Sequence, residues 1–102
     1  MQLWQLELGG EVVGRIVADA YEFPWTYGNL VDSPQFERFR TYFTNEDDWP
    51  EDDPAFEKLC GEINSKGGFA IREVSTNTLY RGVRLNQEKD VVWFRHADPA
   101  AA

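Results

Sequence analysis

The sequence contains one cysteine, one histidine and no long apolar run, and each scarcity removes a class of function. The single cysteine, Cys60, excludes an intramolecular disulfide and a cysteine-cluster metal site. The helical apolar pattern around Cys60 predicts a small buried hydrophobic residue and not a nucleophile. No stretch approaches the roughly 20 apolar residues that a membrane-spanning helix requires, so we expect no membrane as a partner. Glu7 and Glu11 interrupt the region where a signal peptide would be apolar, which favours a cytoplasmic protein.

Catalytic signatures are also scarce. The chain has no nucleophile-elbow glycine pattern, no phosphate-binding loop and no zinc-binding helix motif. His96 is the only histidine, so any histidine-dependent mechanism would have to use it. It lies at the end of a predicted strand near the C-terminus, where a histidine is usually an exposed surface residue. We therefore expect a protein that is not an enzyme and that carries no cofactor.

Basic residues are few and unevenly placed. The chain has 18 acidic and 10 Lys or Arg side chains, for a net charge of −8. Residues 1–65 carry −10 and residues 66–102 carry +2. A field of this sign repels phosphate backbones, so we expect no nucleic acid as a partner and favour a basic protein or a cation. The alternative is that the acidity only keeps a small domain in solution.

The most distinctive segment is 44–58, TNEDDWPEDDPAFEK. Six carboxylates surround Trp49 there: Glu46, Asp47, Asp48, Glu51, Asp52 and Asp53. We expect them to attract a basic protein partner while Trp49 supplies a desolvated contact. Pro50 and Pro54 stiffen the segment and lower the ordering cost of binding. In the competing interpretation, Trp49 packs into the core and the acidic residues only favour the macrodipole of the helix that follows.

The same segment does not predict a dedicated metal site. Clustered carboxylates suit calcium, but an EF-hand loop needs a central glycine and a glutamate at its twelfth position. Here Pro50 occupies the middle and no glycine is present. In composition, the chain resembles bacterial immunity proteins and other acidic inhibitors of basic toxic enzymes. That resemblance implies an inhibitor function and assigns no residue.

An aromatic row follows the first predicted hairpin. Its four members alternate along the chain: Tyr21, Phe23, Trp25 and Tyr27. In an extended chain they would project to one side, where they would cover the core or stack on a ligand. Trp25 and Tyr27 are the expected exposed pair and neighbours of the acidic surface. The alternative function is a small-ligand-binding domain in which the row lines a pocket and Arg81 or Arg84 holds an anionic group.

The predicted fold is a single α+β domain over residues 1–96, with a loose tail over 97–102. We expect about five strands in a mainly antiparallel sheet and two helices, in the order ββααβββ. Ser33-Pro34 and Asp53-Pro54 are typical helix starts, and Gly67-Gly68 is a typical helix end. The predicted strands are residues 2–8, 11–18, 69–75, 78–85 and 91–96.

The first predicted hairpin turns at Gly9-Gly10 and places Val13 opposite Leu6. Its second face carries Leu3, Val12 and Ile16 and is therefore not cleanly polar. A homodimer formed through this face is a third alternative, which a polar substitution of Ile16 would disrupt.

Overall fold

The computed structural model describes residues 1–97 and is dominated by one antiparallel sheet that curls into a half-barrel. Its strands are β1 (Gln2–Leu8), β2 (Glu11–Glu22), β3 (Trp25–Leu30), β4 (Phe69–Glu73), β5 (Thr78–Tyr80), β6 (Arg84–Glu88) and β7 (Val91–Arg95). Across the sheet these seven strands run β5-β4-β1-β2-β3-β7-β6, so that β1 and β2 are central and β5 and β6 are edges. Between β3 and β4 lie 3-10 helices at Pro34–Phe39 and Glu46–Asp48, and the helix α1 (Pro54–Ser65).

The expectation of five strands and two helices in the order ββααβββ is therefore wrong. Residues 25–30, which the alternating aromatic pattern assigned to an extended row, form β3 and pair with both β2 and β7. The predicted strand over 78–85 is two strands, because the chain breaks at residues 81–83 around Gly82, which has φ +65°. The same break lets β6 continue to Glu88 and turn tightly at Lys89-Asp90.

The first predicted helix is also wrong in type and length. Ser33 makes no capping hydrogen bond to the 3-10 helix that follows it. Its hydroxyl instead accepts from the Arg15 N–H at 2.7 Å and donates to the Val31 carbonyl at 2.8 Å. The serine is thus used to tie the chain to β2, which leaves a short 3-10 helix in place of an α-helix.

The second predicted helix is confirmed as α1. Asp53 caps it, since one carboxylate oxygen accepts from the backbone N–H groups of Ala55 at 3.0 Å and Phe56 at 3.2 Å. The helix ends where the Gly68 N–H donates to the Ile63 carbonyl at 3.0 Å, and Gly67 has φ +83°.

The core fills the concave side of the sheet and one end of the half-barrel. At that end Phe43 stacks on Phe36 with centroids 5.5 Å apart and contacts Phe69 at 4.7 Å. In the central hairpin a bulge shifts the register, so Leu6 faces Gly14 and not Val13. Ile16 then pairs with Trp4 and is fully buried, which corrects its predicted place on the second face of that hairpin.

The expected tail over 97–102 lies outside the described residues except for Ala97, whose N–H donates to the Arg81 carbonyl at 2.8 Å. Within residues 1–97, no helix combines the length and the apolar character that crossing a membrane requires.

Candidate functional site

The acidic segment is ordered by its own backbone hydrogen bonds. Glu46–Asp48 form a single 3-10 turn that begins at Asn45, whose side-chain oxygen accepts from the Asp47 N–H at 3.2 Å. The Trp49 N–H closes the turn by donating to the Glu46 carbonyl at 3.1 Å. Capping of this kind fixes the backbone from which the carboxylates project.

Trp49 connects this turn to the helical end of the core. Its ring stacks on Tyr42 with centroids 5.4 Å apart and meets the edge of Phe56 at 5.2 Å. The residue is half-buried, and its Nε1 is buried without a hydrogen-bond partner. Contacts on two sides fix the indole orientation, so Trp49 packs against the fold and does not project freely into solvent.

The six predicted carboxylates separate into three groups. Glu46 and Asp47 line a groove, whereas Asp48 is exposed beyond it. Glu51 and Asp52 are exposed on the connection to α1 and lie outside the groove. The sixth, Asp53, is half-buried and occupied with capping that helix.

The groove that Glu46 and Asp47 line has a volume of about 690 Å³. Trp25 at the start of β3 lines it, as do Trp49 and the first residues of β6. Arg84 is the basic residue in its wall. Among residues 1–97, Glu46 and Asp47 take part in no ion pair, with Arg84 or with any other base.

The wall of the groove is partly desolvated. Burial raises the pKa of the Tyr42 hydroxyl, and the neighbouring Cys60 and Glu46 raise it further. Burial also raises the pKa of the Cys60 thiol, with a smaller contribution from the Glu57 carboxylate. Both groups therefore stay protonated at neutral pH, and Cys60 has none of the electropositive surroundings that activate a nucleophilic thiol.

The predicted aromatic row is divided between two strands. The turn at Phe23-Pro24 sends Tyr21 to the end of β2 and leaves Trp25 and Tyr27 on β3. Tyr21 and Phe23 are 66% and 84% exposed. Trp25 is half-buried with the Arg95 guanidinium 5.5 Å from its ring centroid, and it alone of the four lines the groove. Tyr27 is half-buried in register with Trp93.

The structure does not bring the row and the two candidate arginines into one pocket. Arg84 lies in the groove with Trp25, whereas Arg81 lines a smaller cavity beside Gly9 and Gly10. Tyr21 lines a third cavity with neither arginine.

That third cavity, which we call the end cavity, was not predicted. It has a volume of about 600 Å³ and lies at the end of the half-barrel opposite the helices. Three rings from distant parts of the chain meet there. Tyr80 lies 3.9 Å from His96 and 5.9 Å from Trp4, and the Trp4 and His96 centroids are 5.8 Å apart. Asp19 and Glu73 also line this cavity.

His96 differs from its sequence-based expectation, since it is half-buried in the end cavity and not an exposed surface residue. Its Nδ1 lies 2.8 Å from the Ala97 carbonyl, which can only accept, so Nδ1 carries the proton. No local motif marks these residues, because strands β1, β5 and β7 bring them together only when the sheet curls. An alternation of apolar residues identifies the strands but not which of their ends will meet.

The carboxylates of the acidic segment do not converge. Within the described part of the chain, no group of three or more His, Cys, Asp or Glu side chains is arranged to hold a metal ion.

No protein-family model, characterised protein or solved structure significantly matches this chain.

Proposed function

We propose that the protein is a non-enzymatic binding module that engages a basic segment of a partner protein through the groove beside Glu46 and Asp47. One observation carries this proposal. The two carboxylates share a groove with Trp25 and Trp49, and in residues 1–97 no lysine or arginine, Arg84 of the groove wall included, forms an ion pair with them.

The groove suits a lysine or arginine side chain. Its aromatic walls attract the cation through their ring faces, and its carboxylates accept charge-assisted hydrogen bonds. The acidic turn is already capped in the free protein, so binding does not have to order it. Asp48, Glu51 and Asp52 extend the negative field around the groove, which raises the rate of association with a basic surface.

The role of Trp49 is narrower than that of a free anchor. Its stacking on Tyr42 holds it in place, so it presents part of a fixed wall to the partner. A preorganised acidic groove is a feature expected of an inhibitor, because it would cover a basic active site without conformational change. Inhibition of a basic enzyme is therefore the form of binding that we favour.

A pair of charge-matched variants tests this proposal. E46Q/D47N removes two carboxylates from the groove, and E11Q/E22Q removes two exposed carboxylates on β2, outside the groove. Each immobilised protein would be incubated with host lysate at low salt, and the affinity of each retained basic protein would then be measured. We expect E46Q/D47N to lose at least about tenfold in affinity and E11Q/E22Q to lose less than about threefold.

Two results would contradict the proposal. Equal losses in both variants would indicate attraction by net charge alone. Retention of no basic protein by the unmodified chain would remove the basis for a basic partner. E46Q/D47N should keep the stability of the parent protein, because neither side chain makes a hydrogen bond or an ion pair within residues 1–97. A loss of affinity in this variant therefore cannot be attributed to unfolding.

A further inference from the structure

The end cavity shares no residue with the acidic groove. We propose that it binds a small organic cation, such as a quaternary or alkylated ammonium group. This site is independent of the protein-binding groove, so either proposal can fail without the other.

Aromatic rings form much of the wall of the end cavity. The ring centroids of Tyr80 and His96 are 3.9 Å apart, with the two planes tilted by 31°, and the Trp4 centroid lies within 6 Å of both. Tyr21 adds a fourth ring, which is 66% exposed to solvent at the mouth. Several rings around one cavity form the arrangement in which ammonium ions are held by cation–π attraction.

Carboxylates also line the end cavity. Asp19 and Glu73 line it, and no lysine or arginine does. Glu73 accepts hydrogen bonds from Gln2 at 3.1 Å and Thr76 at 2.8 Å, which orient its carboxylate without neutralising it. Neither carboxylate belongs to an ion pair in the described residues. Met1, which carries the α-amino group, also lines the cavity, so two carboxylates face one amino group and the balance is negative. Negative charge beside aromatic rings favours a cation over an anion or a neutral ligand.

The position and size of the end cavity suit a small ligand. The residues that line the cavity include Gln2 at the start of β1 and Glu73 at the end of β4, whereas α1 leads into the other end of β4, where Phe69 pairs with Leu8. A volume of about 600 Å³ lies within the range of small-molecule sites. Trp4 is 4% exposed and its Nε1 has no hydrogen-bond partner among residues 1–97, so the indole N–H is a buried donor beside the cavity.

Choline and 3,3-dimethylbutan-1-ol are the probes that we would use. They have the same shape, but only choline is charged. The readout is the indole N–H signals of the four tryptophans in a two-dimensional ¹H–¹⁵N NMR titration. We expect choline to shift the Trp4 indole signal with millimolar affinity, and we expect the neutral alcohol to bind at least about tenfold more weakly.

Two charge-matched variants locate the effect. D19N/E73Q should weaken choline binding by about tenfold, whereas E46Q/D47N, which alters the groove, should leave it unchanged. An amide at 73 retains an oxygen acceptor for Gln2 or Thr76, so the fold should be kept. Y21S, at an exposed position, should weaken binding by about threefold through the loss of one ring.

Three results would overturn the proposal. No shift of the Trp4 indole up to about 100 mM choline would overturn the proposal, as would equal binding of the neutral alcohol. Equal weakening by D19N/E73Q and E46Q/D47N would also overturn it, because the effect would then follow net charge and not the cavity. Failure of choline binding leaves the protein-binding groove untouched, and loss of the protein partner in E46Q/D47N leaves choline binding intact.

Discussion

Gly28 shows how one residue permits the close pairing of β2 with β3. It is buried within β3, beside a register shift at Ala18 and Ala20 of β2. A Cβ at this position would overlap the Val17 carbonyl oxygen and lie 2.8 Å from the Ala18 Cα. In the sequence, Gly28-Asn29 is typical of a turn. In the structure the glycine is needed because two backbones approach each other closely, which a local pattern cannot indicate.

G28A should therefore be strongly destabilising. We expect the free energy of unfolding to fall by about 2 kcal/mol or more, because backbone atoms cannot move aside as a flexible side chain would. G61A is the matched control, since Gly61 lies inside α1 with nothing near its missing Cβ. This variant should gain up to about 1 kcal/mol from helix propensity. Urea unfolding followed by tryptophan fluorescence measures both, and a similar change in the two variants would contradict the expectation.

At the scale of elements, caps and buried pairs decide which predicted segments form as expected. The Asp53-Pro54 and Gly67-Gly68 signals predicted α1 correctly because each is satisfied locally. Ser33-Pro34 is a similar signal, yet the Ser33 hydroxyl accepts from the N–H of Arg15 in β2, which is distant in sequence, and does not cap a helix. Tertiary contacts of this kind override local propensity, and no pattern within the segment reveals them.

Asp53 allows its capping role to be separated from its charge. D53A should lower the free energy of unfolding by about 1 kcal/mol, because two N–H groups at the start of α1 lose their acceptor. D53N retains a side-chain oxygen and should change stability by only a few tenths of a kcal/mol. Thermal unfolding followed by circular dichroism compares the two. Equal effects of D53N and D53A would show that the charge, and not the cap, is important.

The pairing of β1 with β4 contains a second element-scale interaction. Glu7 is 7% exposed and accepts from the Arg72 Nε at 2.7 Å, and this hydrogen bond raises the pKa of Arg72. R72M should lower the free energy of unfolding by about 2 kcal/mol, because a buried carboxylate would lose its charged donor. R81M, at an exposed arginine that forms no ion pair within residues 1–97, should have little effect. In a double-mutant cycle, E7Q/R72M should be more stable than the sum of its single variants predicts.

At the scale of the whole molecule, the number of strands and the end cavity lay beyond what the sequence could predict. Local turns such as Gly9-Gly10 indicated antiparallel neighbours, and the structure has them. The curl depends on β3 pairing with β7, where Thr26 faces Phe94. That pairing joins segments far apart in the chain, so its register follows from the packing of the complete sheet. Only then do Trp4, Tyr80 and His96 share one cavity.

Two hydrogen-bonded carboxylates make the free energy of unfolding depend on pH. Hydrogen bonds from Arg38 and Lys66 lower the pKa of Glu62 below its usual 4.5, and a hydrogen bond from Arg40 lowers that of Glu37. A carboxylate with a lower pKa in the folded state binds protons more readily when unfolded. Its stabilising contribution is therefore complete above about pH 4.5 and is lost as the pH falls through the lowered value.

Protonation of the unpaired surface carboxylates acts in the opposite direction, since it reduces repulsion within a chain of net charge −8. The dependence of the wild-type free energy of unfolding on pH contains both effects, and a pair of α1 variants separates them. E62Q removes a paired carboxylate, and E57Q removes an exposed one that forms no ion pair in the described residues. Between about pH 3 and pH 6, the free energy of unfolding should fall less steeply on acidification in E62Q than in E57Q. Parallel curves for the two variants would mean that the α1 ion pairs contribute nothing to acid stability. The difference should shrink in high salt, because Arg38 and Glu62 are exposed enough for ions to screen them.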